Sequence, residues 1–130
     1  MVDPTPLRQS RRQKILLIED EPDLRRSLQM LFEGRGFAVR AFASPQALLA
    51  DPGLLEADCL ITDYKMPELD GLGLMHELKK RGWSAPAFLI TAFPSAGLSA
   101  QALQLGFTEV VTKPFLDRSI VGIVSRQLAE

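Results

Sequence analysis

Four short apolar runs, each closing on polar or charged residues, constrain this chain most: KILLIEDE at 14–21, CLITD at 59–63, AFLIT at 87–91 and VVTKP at 110–114. Each run is too short for a helix and is bounded by charges or turn residues, so each reads as a buried strand. A further strand, AVRAF, falls at 38–42. Helical periodicity fills the intervals. Leu24, Leu28, Leu31 and Phe32 share one face after Pro22, and Gly34 and Gly36 end that stretch. Ser44 followed by Pro45 is an N-cap and first helical residue, and the short helix it starts stops at Asp51-Pro52-Gly53.

The expected elements are β1 (14–18), α1 (22 to about 34), β2 (38–42), α2 (46–50) and β3 (59–62). The turn MPELDG at 66–71 leads into α3, which carries Leu74, Met75 and Leu78 and ends near Gly82. Then come β4 (87–91), a loose loop over 93–98, α4 (99–105, capped by Gly106), β5 (109–112) and α5 (about 117–128). Strands alternating with helices imply a parallel sheet with right-handed crossovers. The predicted fold class is therefore α/β, a (βα)5 doubly wound five-stranded parallel sheet of flavodoxin-like architecture.

At 130 residues the chain is expected to form one domain over 14–130, preceded by a flexible arm over 1–13 that holds two prolines and three arginines without apolar period. A hydrophobic content of 46% supports a real core, and a formal net charge of −1 carries no nucleic-acid or membrane signal. No apolar run approaches the roughly 20 residues of a transmembrane helix. The N-terminus lacks an apolar signal core, and the single Cys59 is an inert small core residue that has no internal disulfide partner. A cytoplasmic location is expected. His76 reads as an exposed helix residue, since no Cys or His stands at metal spacing from it. Trp83, which follows a glycine, is expected to cap the loop between α3 and β4.

In an open parallel sheet, chemistry sits at the carboxyl ends of the strands. Four strand ends deliver Glu19, Asp20, Asp63, Thr91 and Lys113 to one place. Acids, a hydroxyl and an ammonium gathered there suit a divalent metal and a phosphoryl group on a carboxylate. A carboxylate can attack phosphorus to form an aspartyl phosphate. Attacker and donor are both negative, so a hard cation such as Mg²⁺ is needed, held by one or two carboxylates, phosphate oxygens and waters. Asp20 and Asp63 can supply carboxylates, and the backbone carbonyl of Lys65 another ligand. Lys113 can meet one phosphoryl oxygen as a point charge, and the Thr91 hydroxyl can donate to a second.

The segments LLIEDEPDLRRSL, LITDYKMPELDG, FLITA and VVTKPF, in this order and spacing, resemble the receiver domain of two-component response regulators over residues 14 to about 128. The resemblance implies that Asp63 is the phosphoacceptor and that Glu19 and Asp20 are the acidic pair. Asp20 then binds the metal directly and Glu19 through water, with the Lys65 backbone oxygen as a third ligand. Thr91 is implied as the switch hydroxyl, Lys113 as the phosphate-pairing lysine, and Lys113–Pro114 as a cis peptide. Ala92 is small, as expected where phosphodonors approach. The implied cofactor is Mg²⁺, with Mn²⁺ as a substitute. The implied partners are a sensor histidine kinase or phosphotransfer protein and a downstream output domain or target protein. Neither membrane nor direct nucleic-acid contact is expected. The α4–β5–α5 surface is the expected site of switching and of a phosphorylation-dependent dimer. The chain is then not an enzyme but a signalling phosphoacceptor with its own phosphorylation and dephosphorylation chemistry.

Two positions depart from the family pattern. Val110 stands where the family usually has Tyr or Phe, so loop movement without ring rotation is expected. Lys65, two residues after the acceptor, is expected to fold over the phosphoryl group and slow its loss. Three alternatives compete. An aspartyl-phosphate phosphatase typically needs an acid where Lys65 stands. A flavodoxin-like cofactor binder needs a Ser/Thr/Gly-rich loop where EDEPD stands. A degenerate receiver used only for protein contact is favoured by Val110 and disfavoured by the complete set of five site residues.

Overall fold

Alternation along each strand sorts its side chains onto two faces, and each face is covered by its own helices. Ile15 and Leu17 of β1 join Ile61, Phe88 and Ile90 beneath α1 and α5, packing on Leu28, Phe32, Ile120, Val121 and Val124. Leu16 and Ile18 turn the other way, to Leu60, Leu89 and the α2–α4 side chains Leu48, Leu74, Met75, Leu78, Leu98 and Ala102. A strand apolar on both faces is what a run such as KILLI specifies, and its last four residues are buried.

The structure, a computed structural model, describes residues 12–113 and 119–129. Its elements are β1 Lys14–Ile18, α1 Pro22–Glu33, β2 Ala38–Phe42, α2 Pro45–Leu49, a 3₁₀ turn Leu54–Glu56, β3 Cys59–Asp63, α3 Gly71–Lys80, β4 Ala87–Thr91, α4 Ala96–Leu105, β5 Glu109–Thr112 and α5 Ser119–Leu128. All strand pairs are parallel, in the order β2-β1-β3-β4-β5. Strand order reverses at β1, which places a crevice outside the carboxyl ends of β1 and β3. The backbone pairing of this sheet already includes Gln13, whose carbonyl accepts from Ala38 N–H at 2.9 Å. The Lys113–Pro114 bond and residues 1–11 of the arm lie outside the described residues.

Helix α2 spans Pro45–Leu49 rather than 46–50, and two further boundaries differ from the sequence expectation. Helix α4 starts at Ala96 rather than 99, because the Ser95 hydroxyl accepts from Leu98 N–H at 3.0 Å and satisfies an amide that would otherwise be orphaned. The segment read as a loop because Ala96 and Gly97 add nothing to an apolar period. Strand β3 runs one residue further, to Asp63, which pairs with Ile90 of β4. The expected caps at Ser44 and Gly106 are present, Gly106 in the left-handed region at φ 108°, and the Asp70 carboxylate caps α3 by accepting from Gly73 N–H. Trp83 is buried among α3, α4 and β4 side chains, and its indole N–H donates to the Ala85 carbonyl at 2.9 Å. Cys59 is buried, and burial pushes its thiol well above the ordinary range.

Helix α3 starts against the end of β3, and Gly71 permits the approach. Its N–H donates to Tyr64 O at 2.8 Å. A Cβ there would stand 2.5 Å from Leu89 Cδ1 and 2.8 Å from the Asp63 carbonyl oxygen. Leu89 can shift its tip, but a backbone oxygen of a paired strand cannot. Gly71→Ala is therefore expected to destabilise the domain by about 1–3 kcal/mol, read as a lower urea midpoint at unchanged slope.

Candidate functional site

The sheet ladder continues past the strand ends and carries the functional residues with it. Glu19 N–H donates to Phe42 O at 3.1 Å, Tyr64 N–H to Ile90 O at 2.8 Å, and Lys113 N–H to Thr91 O at 2.7 Å. The residues that follow β1, end β3 and follow β5 are thus held by backbone bonds before any side chain acts.

The side chains then converge. Lys113 Nζ lies 3.1 Å from Glu19 Oε1 and 3.1 Å from Asp63 Oδ1. Glu19 is 1% exposed and Asp63 6%. Glu19 Oε2 accepts the Glu21 N–H at 3.1 Å, and Asp63 Oδ1 accepts the Tyr64 N–H at 3.1 Å. Glu19 Oε1 has no aligned hydrogen bond, so the nearby ammonium charge is what compensates it. Burial pushes the Glu19 carboxyl up to about 7, with the Asp63 charge adding to the rise. Burial likewise raises Asp63 against the pull of Lys113. Burial pulls Lys113 down, but its two carboxylate partners outweigh that and hold it above the ordinary lysine value.

Asp20 is exposed at the rim. One carboxylate oxygen from each of Glu19, Asp20 and Asp63 lies within 4.8 Å of the others. An all-oxygen, multiply negative donor set fits a hard divalent cation, and Glu19 Oε1 is a buried acceptor still short of an aligned donor. Thr91, 3% exposed, accepts the Phe93 N–H on its hydroxyl at 3.1 Å. It shares a cavity of about 100 Å³ with Asp63, Lys65, Ala92, Phe93 and Lys113. All five expected strand-end residues therefore gather at one edge.

Sequence reasoning missed three contacts here. The Lys65 ammonium lies 5.8 Å from the centre of the exposed Phe93 ring, within cation–π range. The Arg25 guanidinium donates to the Glu19 carbonyl at 2.9 Å. Lys113 also bridges to Glu19, not to Asp63 alone. Lys65 and Phe93 lie on different loops and Arg25 looks like one more helix-surface charge, so no local pattern signalled the first two. Val110 is half-buried against the α2–α4 core, and His76 is exposed on α3.

The family model for the response regulator receiver domain matches residues 15–125. The chain belongs to this family. The receiver is 35% identical over 113 residues to the transcriptional regulatory protein FixJ of Azorhizobium caulinodans, covering 86% of this chain and 53% of that protein. It is 36% identical over 115 residues to the C4-dicarboxylate transport transcriptional regulatory protein DctR of Rhodobacter capsulatus, covering 87% and 58%. The chain thus spans little more than half the length of these relatives. Among solved structures, the FixJ-N crystal structure matches with TM-score 0.79 at 26% identity, covering 92% of this chain and 96% of that one. The Vibrio cholerae chemotaxis protein CheY4 matches with TM-score 0.84 at 20% identity, covering 90% and 99%, a likeness of fold. No helix among the described residues is long and apolar enough to cross a membrane.

The raised Glu19 carboxyl sets a pH dependence. Unfolded, the group ionises near the ordinary glutamate value of 4.5; folded, burial pushes it up to about 7. Between those values the native state holds the extra proton, so its contribution to stability is lost as pH rises. In EDTA, the melting temperature of the receiver should fall across this window, and Glu19→Gln should flatten the fall. Thermal melts across the pH range check this; an unchanged slope in the variant contradicts it.

Proposed function

We propose that this receiver is the phosphoacceptor of a two-component system, taking a phosphoryl group onto Asp63 from a sensor histidine kinase, a phosphotransfer protein or a small phosphodonor. The observation that carries the reading is the Lys113 ammonium at 3.1 Å from Asp63, with two further acids and a buried hydroxyl around the same carboxylate.

In the step, an Asp63 carboxylate oxygen forms a bond to phosphorus while the bond from phosphorus to the donor nitrogen or oxygen breaks. The electron pair leaves with the donor, which takes a proton from solvent. Lys113 already stands where it can neutralise a phosphoryl oxygen. The Thr91 hydroxyl, which accepts the Phe93 amide and keeps its own proton, can donate to another. Glu19, Asp20 and Asp63, with the Lys65 carbonyl, would hold Mg²⁺, or Mn²⁺ in its place. When bound, the cation supplies charge neutralisation to the phosphoryl oxygens. Partial burial of Asp63 excludes bulk water from the acceptor.

Phosphorylation adds negative charge beside Thr91, which leads directly into the loop before α4, and beside Lys113, which follows β5. With Val110 in place of an aromatic, the output is movement of the 92–95 loop and of the α4–β5–α5 surface without ring rotation. This surface would serve an output domain, a target protein or a phosphorylation-dependent dimer. The names of the relatives, transcriptional regulators, support a gene-regulatory output.

With Mg²⁺ and acetyl phosphate, intact-mass spectrometry should find one acid-stable, base-labile phosphoryl group on wild type and none on Asp63→Asn. Equal labelling of both would sink the assignment.

Lys65 supports a second expectation. Parked over Phe93 at the cavity mouth, its ammonium is placed to swing onto a new phosphoryl charge and shield it from water. Lys65→Ala should shorten the phosphoryl lifetime several-fold, and Lys65→Arg should largely preserve it. A lifetime in the alanine variant at or above wild type excludes shielding.

A further inference from the structure

We infer that Arg25 is a positioning residue for the cation site: it clamps the Glu19-Asp20-Glu21 turn from behind and so sets the placement of the acids. This rests on the phosphoacceptor reading above, and deepens it with a residue outside the acidic cluster.

Arg25 sits in the first turn of α1, its backbone N–H bonded to Glu21 O at 2.9 Å. A cation in the first turn of a helix opposes the helix macrodipole, which favours acids there. The side chain answers by turning back out of the helix, and its guanidinium donates to the Glu19 carbonyl at 2.9 Å. One residue thus grips both ends of the turn, the Glu21 carbonyl by its amide and the Glu19 carbonyl by its side chain.

The turn is pinned on its other sides too. Glu19 N–H is bonded to Phe42 O, and Glu19 Oε2 to Glu21 N–H. Asp20 lies between these anchors with an exposed side chain. Among the described residues its carboxylate has no hydrogen-bond partner, so its position follows the backbone that Arg25 holds. Groups that orient metal ligands from behind typically carry about 10–100-fold in metal affinity.

Two effects of Arg25 oppose each other. Its charge repels a cation, while its hydrogen bond keeps the acids in place. The guanidinium is directed at a neutral carbonyl rather than at a carboxylate, and it is partly solvated, so screening weakens the repulsion. Positioning should win, and binding should weaken when the arginine is removed.

Isothermal titration of Mg²⁺ alone into the metal-free receiver reads this directly. Arg25→Met should bind Mg²⁺ about 10-fold more weakly. Arg25→Lys, which keeps a donor of similar reach, should recover most of the loss. Arg26→Met, at an exposed neighbouring arginine, should match wild type and control for loss of charge. Equal or tighter binding by Arg25→Met overturns the positioning role and leaves only charge repulsion. If circular dichroism shows that Arg25→Met does not fold, Arg25→Gln decides: weaker binding supports the clamp, and equal or tighter binding overturns it. Wild type that binds no Mg²⁺, or binds it as well after Asp20→Ala, overturns the cation site itself. That outcome is distinct from a wild-type site that tolerates loss of Arg25.

Discussion

One ammonium between two buried carboxylates governs this molecule. Lys113 stands 3.1 Å from Glu19 and 3.1 Å from Asp63, and both acids are almost fully buried. Burying a carboxylate without compensation is costly, and one lysine cannot fully neutralise two acids with a third, Asp20, at the rim. The site therefore carries more negative charge than its one ammonium, and Glu19 and Asp63 are pushed up chiefly by burial, with the neighbouring acid charge adding to it. That residual charge makes the edge receptive to a hard cation. It is a local cost in stability located at the acidic cluster.

The sheet is what makes such a crowded arrangement tolerable. Each side of it has a separate apolar core, and Ile15, Leu16, Leu17 and Ile18 are divided between the two by simple alternation. Parallel pairing brings every strand's carboxyl end to the same edge. The ladder then extends to Glu19, Tyr64 and Lys113 through backbone bonds. Rigidity ends there. Asp20, Lys65, Ala92 and Phe93 lie beyond those bonds, exposed on the loops.

Thr91 stands at the boundary between those regimes. Its backbone belongs to β4, while its buried hydroxyl is engaged by the amide of Phe93 in the following loop. That hydroxyl keeps its own proton while it accepts the Phe93 amide, so a new acceptor on Asp63 would link to the loop through the same oxygen. Val110 packs as an ordinary half-buried core side chain, and the Lys65–Phe93 pair stands at the mouth of the loop.

Much was legible in the sequence. Strand positions follow from short apolar runs, and caps at Ser44, Asp70 and Gly106 follow from local turn chemistry. The five strand-end residues follow from the rule that a parallel sheet gathers its carboxyl ends. Each of these is a short-range property, carried by residues near one another in the chain. Ser95 escaped because its helix begins with small residues that add no apolar period. Trp83 looked like a loop residue because its burial depends on side chains from three other elements. The Lys113–Glu19 pair, the Lys65–Phe93 stack and the reach of Arg25 back to Glu19 are distances through space. The sequence by itself determined which groups arrive at the edge. The tertiary structure alone decided which of them touch and how far each is buried, because desolvation and charge pairing depend on the packed geometry and not on order along the chain.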